Sequence, residues 1–141
     1  MKILVPVDGS EPSLRAVKLA IAMAKTARAS ELLLVTVQNL AAIGATDLGF
    51  LDPTLAHQAA RRSGEKALRK AIALAKASKL RFATHIEIGP IAETLAKIAR
   101  KEKVEHIVMG TRGLGGVRGL LLGSVATQLI HLAEVPVTLV K

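Results

Sequence analysis

The residues with the most chemical promise lie between Gly110 and Ser124, where the chain reads G-T-R-G-L-G-G-V-R-G-L-L-L-G-S. Glycine lacks the Cβ that holds a phosphate away from the backbone, so amides in such a run can cradle an anion. The run follows the apolar, strand-like Ile107-Val108-Met109 and precedes a helix-like stretch from Val125 to Ala133. A helix starting there would add unpaired N–H groups and the favourable end of its dipole. The chemistry indicated is phosphate binding. The alternative is a ligand-free Gly-rich linker, and such linkers rarely sit tightly between a buried strand and a helix.

Spacing narrows this. Gly110 and Gly113 form G-x-x-G, and after nine intervening residues stand Gly123 and Ser124. A P-loop is absent because no lysine precedes Ser124, and G-x-G-x-x-G begun at Gly113 fails at Arg118. Gly113 is where the backbone is expected to approach phosphate, with a left-handed conformation as a second use of glycine there. Ser124 can touch a ligand, cap the following helix, or both. Arg112 and Arg118 can pair with phosphate oxygens or stay solvated, and the sequence does not decide. Gly115, Gly116 and Gly119 add freedom whose loss on binding lowers affinity.

Catalytic chemistry has less support. His57, His85, His106 and His131 fall on different elements, with no pair at the i, i+4 spacing of a metal site, and read as surface or packing residues. No Ser/His/Asp arrangement can be argued from spacing, and no lysine in the loop could stabilise a transferring γ-phosphoryl group. Asp8 is the one candidate base. No catalytic residue and no metal ligand is assigned.

The elements that must position the glycine loop follow from periodicity. Lys2–Val7 is a continuous apolar run, the pattern of a strand buried on both faces of a parallel sheet. It ends at Asp8-Gly9-Ser10, where the carboxylate can accept a ribose hydroxyl or merely order its own turn. Ser10 as N-cap, Glu11 in the first turn and Pro12 start a helix with Leu14, Val17, Ile21 and Ala24 on one face. Glu31–Gln38 is a second strand. Asn39–Asp52 is too long for an ordinary connection and, with Gly44 and Gly49, reads as a lid or partner-binding loop. From Pro53 to about Ser78 a helix buries Ala60, Gly64, Ala67, Leu68, Ala71, Ile72 and Ala75, while Arg61, Arg62, Lys66, Arg69 and Lys70 face water. Arg81–Ile88, a helix from Ile91 to about Lys101, His106–Met109, a helix from Ser124 or Val125 to about Ala133, and Pro136–Val140 complete the alternation. Such alternation implies right-handed crossovers and a parallel sheet covered on both faces, in one α/β domain over residues 1–141.

Composition sets outer bounds. With 141 residues, half of them apolar, the chain can bury a sizeable core, and without cysteine it has no disulfide framework or thiol chemistry. Met1-Lys2-Ile3 does not open a signal peptide, so a cytoplasmic location is expected. Gly119–Ala133 carries no formal charge, but Thr127, Gln128 and His131 within it, and Glu134 and Pro136 after it, fit a buried helix better than a membrane span. A net charge of +9 invites nucleic acid. Yet lysine and arginine are dispersed along helix faces, and Phe50 and Phe82 are the only aromatics, so stacking platforms are nearly absent. A solvated basic surface favouring small anions is the preferred reading.

Taken together, I-L-V-P-V-D-G-S at Ile3–Ser10, L-V-T-V ending at Val37, I-G-P at Ile88–Pro90, the glycine motif, and V-P-V-T-L-V at Val135–Val140 make the whole chain resemble the universal stress proteins, in their ATP-binding branch. The resemblance implies a Rossmann-like, adenine nucleotide alpha hydrolase-like fold: an open five-stranded sheet of order 3-2-1-4-5 with helices on both faces. Strands 1 and 4 would then lie side by side with connections leaving to opposite faces, the kind of switch point where ligands bind. It further implies that Asp8 and the backbone around Val37 hold adenine and ribose, and that Gly110, Gly113, Gly123, Ser124 and Val125 surround the phosphates. Pro6, Val7, Met109 and Arg112 complete the expected set. ATP would carry magnesium held chiefly by phosphate oxygens. A homodimer is expected through the apolar edge strand Val135–Val140. The implied role is a nucleotide-dependent stress-response or signalling module with unidentified protein partners. The rivals are a nucleotide-independent dimeric scaffold and a slow ATPase or self-phosphorylating protein. Since a phosphate cradle binds ground and transition states alike, efficient catalysis is not expected.

Overall fold

Strands whose consecutive residues are all apolar must bury both faces, and the first two strands do so. The computed structural model describes residues 1–27, 30–40, 52–113 and 122–141. In β1 (Lys2–Pro6), Ile3 and Val5 enter one core and Leu4 the other; in β2 (Glu31–Gln38), Leu32 and Leu34 share the first core while Leu33, Val35 and Val37 share the second. β3 (Arg81–Ile88), β4 (His106–Gly110) and β5 (Val137–Val140) complete one parallel sheet of order β3-β2-β1-β4-β5. This is the expected order.

Two helical layers cover the sheet. α1 (Glu11–Thr26) and α2 (Pro53–Ser78) close the first core with Leu14, Val17, Ala20, Leu68, Ala71 and Ala75. α3 (Ile91–Lys101) and α4 (Ser124–Leu132) close the second with Ala92, Leu95, Ala99, Ala126 and Leu129. No helix among the described residues is long and apolar enough to cross a membrane.

Boundaries shift for local reasons. Both β1 and β5 stop short of their sequence limits at a proline, which has no N–H for the ladder. Val7 N–H nevertheless continues the pairing to the Val35 carbonyl at 2.8 Å, and the Pro136 carbonyl still accepts from Ile107 N–H at 2.9 Å. The buried faces differ in detail too: Ile21, Ala67 and Ile72 are only half-buried, whereas Ala16, Ala20 and Ala56 are buried. Small residues let α1 and α2 lie close to the sheet. Of the connection read as a lid, residues 41–51 lie outside the described residues.

Gly64 shows how close α2 comes. A Cβ there would stand 2.6 Å from Ile86 Cγ2 and 3.2 Å from Thr36 Cγ2. β-branched neighbours on a pleated sheet have one well-packed rotamer and little room to yield. Gly64→Val is expected to lower the free energy of unfolding by about 1–3 kcal/mol through overpacking, despite better helix propensity. Urea denaturation checks this, and an unchanged midpoint would contradict the packing account.

Candidate functional site

β1 and β4 pair at the middle of the sheet, with Ile3 opposite His106 and Leu4 opposite Ile107. From β1 the chain passes to α1 on one face, and from β4 to α4 on the other. The carboxyl ends of the two strands therefore border a crevice at the switch point.

Asp8 stands at its rim. Its Oδ1 accepts Ser10 N–H at 2.9 Å and the Ser10 hydroxyl, while Ser10 Oγ accepts Ser13 N–H at 3.3 Å and Ser13 Oγ donates to the Ser10 carbonyl at 2.9 Å. The Asp8 turn and the N-cap of α1 are thus one network. Gly9 makes the turn possible, with φ +85° and a would-be Cβ at 3.5 Å from Ala67 Cα. Ser10 was legible in the sequence only as a cap. The signal for its second role was the two-residue spacing from Asp8, which suits an Asx-type turn.

The three motif glycines serve different ends. At Gly113, a Cβ would run into Asp8 Oδ2, so this backbone lies directly against the carboxylate. Its φ is not among the positive values, which among the described glycines belong to Gly9 and Gly89. Glycine is needed there for space, and the left-handed reason falls away. At Gly110, a Cβ would meet Pro12 Cβ at 2.8 Å and Pro12 C at 3.0 Å, so the residue makes room for the first turn of α1. Gly123 has room for a Cβ, which would make ordinary van der Waals contacts at 3.4 and 3.5 Å, and it donates its N–H to the Thr111 carbonyl at 2.6 Å.

That last bond ties the two ends of the glycine loop together. Thr111 is buried, and its own N–H reaches the Val140 carbonyl at 2.8 Å, which fixes the neck of the loop to β5. Nothing in the type of residue 111 announced this, because both bonds use its backbone. Gly123, not Ser124, occupies the N-cap of α4. Ser124 is the first helical residue and is exposed, with no hydrogen-bond partner for its hydroxyl among the described residues, so the capping alternative fails. Val125 is half-buried against the second core. Arg112 and Gly113 are exposed, and Arg112 forms no ion pair among the described residues. Arg118, Gly115, Gly116 and Gly119 lie outside the described residues.

Val7, Val37 and Met109 turn their side chains into the cores, so each can offer a ligand little but backbone; Pro6 is half-buried beside them. The network brings Asp8, Ser10 and Gly113 together, while Val37 stays one strand away on β2. His106 Nε2 bonds Thr138 Oγ1 at 2.7 Å across β4 and β5, a packing role. Two surface hollows, of about 240 and 330 Å³, flank α3 away from this crevice, the first beside His85, Lys97 and Lys101 and the second beside Arg100 and Glu134. Strand topology and the Asp8–Gly113 contact outweigh hollow volume in locating the site, because the described rim leaves out residues 114–121.

A doubly wound parallel sheet with a glycine loop at its switch point defines the adenine nucleotide alpha hydrolase-like class of fold. The model of the universal stress protein family matches residues 1–141, and the chain belongs to that family. It is 35% identical over 140 residues to Universal stress protein MJ0531 of Methanocaldococcus jannaschii, covering 99% of this chain and 81% of that one. Among solved structures, that of the protein MJ0577 superposes with a TM-score of 0.80 at 30% identity, covering 99% of this chain and 94% of the other. A universal stress protein in complex with cAMP superposes with a TM-score of 0.69 at 27% identity, covering 100% and 96%.

Packing and ligand roles separate by mutation. Gly110→Ala is expected to push α1 from β4 and lower the melting temperature by several degrees, a cost of about 1–3 kcal/mol. Gly123→Ala, with φ −75° and only ordinary van der Waals contacts for the added methyl group, should change it by less than about a degree or two. Thermal melts of both variants check this, and equal shifts would remove the steric distinction.

Proposed function

We propose that this chain is an ATP-binding universal stress protein whose nucleotide occupancy is sensed by protein partners, as a stress-response or signalling module in the cytoplasm. The observation that carries the reading is the meeting of Asp8 and Gly113 across the β1/β4 crevice. A carboxylate fixed by Ser10 suits a ribose hydroxyl, and a backbone with no side chain beside it suits a phosphate. The relative solved with cAMP supports an adenine nucleotide as the ligand class.

In this reading the backbone at Gly113 and Gly123 and the amides at Ser124 and Val125 face the phosphates, and the backbone near Pro6, Val7 and Val37 borders the base. Met109 and Gly110 form the floor, and Arg112 stands at the phosphate end. Magnesium would be held chiefly by the phosphate oxygens. ATP is kept rather than consumed: Asp8 Oδ1 is engaged by Ser10, and the loop supplies no lysine. Two copies pair through the edge strand β5, where Val137 and Leu139 are only half-buried in the single chain.

Gly113→Val directs a branched side chain at Asp8 and at the phosphate position. Titration calorimetry with ATP and magnesium should show a tenfold to hundredfold weaker affinity, on the order of 1–3 kcal/mol, with dimerisation and thermal melt largely kept. Equal affinity, or no binding by the parent chain, would favour the nucleotide-independent scaffold. Light scattering at micromolar concentration should give the mass of two chains. A monomer would refute pairing through β5.

A further inference from the structure

Charge that is spread along the sequence is gathered by the fold. α1 and α2, which share one face of the sheet, carry nine lysines and arginines against two glutamates; α3 and α4 on the other face carry three against one. The outer ridge of α2 is the densest part. Its buried line runs through Ala56, Ala60, Gly64, Leu68, Ala71 and Ala75. At 3.6 residues per turn, Arg62, Lys66, Arg69, Lys70 and Lys76 fall opposite that line, spread over roughly 120° of the circumference and roughly 21 Å of axis. All five are exposed. The single carboxylate of α2, Glu65, lies to one side and pairs with Arg61 at 3.6 Å.

From this ridge we infer that the chain binds double-stranded DNA through its phosphates, with α2 as the contact element. Shape chooses the occupant. The cations wrap a convex surface, so a flat polyanion could meet only the crest, whereas the major groove of B-form DNA admits a helix and places phosphates on both of its flanks. Arginine at positions 62 and 69 suits bidentate phosphate contacts. The scarcity of aromatic residues, which argues against a single-strand stacking platform, does not bear on phosphate binding. Bidentate adenine readout is not expected, because the ridge presents no Asn or Gln between Arg62 and Lys76. This surface lies on α2, apart from the nucleotide crevice, so the two readings stand or fall separately.

Fluorescence anisotropy with a labelled 25-base-pair duplex, without ATP, tests the inference. Five phosphate contacts give a log–log salt slope of about −4.5, so affinity should fall about 500-fold between 50 and 200 mM salt. A triple Arg62→Gln, Lys66→Gln, Arg69→Gln variant should reduce that fall to about 12-fold, with an unchanged circular dichroism spectrum. A Lys97→Gln, Arg100→Gln, Lys101→Gln variant removes the same charge from α3 and should behave like the parent. Equal effects of the two triples would mean net charge alone is sensed and would overturn the ridge. So would absence of binding at 50 mM salt, tighter binding to single-stranded oligo-dT than to duplex, or α2-dependent binding to vesicles with 30% phosphatidylserine but not to duplex.

Discussion

No Cβ fits between the end of β4 and the first turn of α1. Pro12 lies so close to Gly110 that a methyl group there would stand within 2.8 Å of its ring, and the geometry of the crevice follows from that approach. With α1 pressed onto β4, the link from β1 must reverse within Asp8-Gly9-Ser10, which requires the left-handed Gly9 and a side chain that can satisfy the exposed amides. Asp8 meets that need with Oδ1, which leaves Oδ2 aimed across the crevice at Gly113. α2 closes the other side of the turn through Ala67. Two helices thus hold one carboxylate, and the rigidity of the site is a consequence of core packing.

The same sheet keeps two polar surfaces apart. At the strand ends, the polar groups are backbone amides and one carboxylate oriented by Ser10. On α2 they are long, hydrated side chains whose field extends over a Debye length. Neither arrangement needs the other. Both depend on α2 lying close to the sheet, which Gly64 allows.

Much of this was legible in the chain itself. Runs such as Ile3-Leu4-Val5 and Leu32-Leu33-Leu34 have no polar face to offer, so burial on both sides followed at once. Strand order did not follow from them: Arg81–Ile88 reads much like β2, yet it is a half-exposed edge, and the order came with the family likeness. The glycines were found by spacing, but the closeness of Gly110 to Pro12, nearly a hundred residues away, was not, because no local pattern records such a contact. Ser124 looked like a cap by type, but Gly123 took the position because its carbonyl already accepts Thr127 N–H, at 3.1 Å, as the helix begins. The dispersed charges looked featureless until the fold showed which helices share a layer.

The bond from Gly123 N–H to the Thr111 carbonyl has a bearing on change over evolutionary or engineering time. The loop is joined at its neck and anchored to β5 through Thr111, so both bonds lie outside the segment they enclose. The entropy of closing a flexible loop grows slowly with length, by about 0.6 kcal/mol for each doubling. A segment added inside the neck therefore leaves both backbone bonds, and the sheet that presents the loop, in place at small thermodynamic cost.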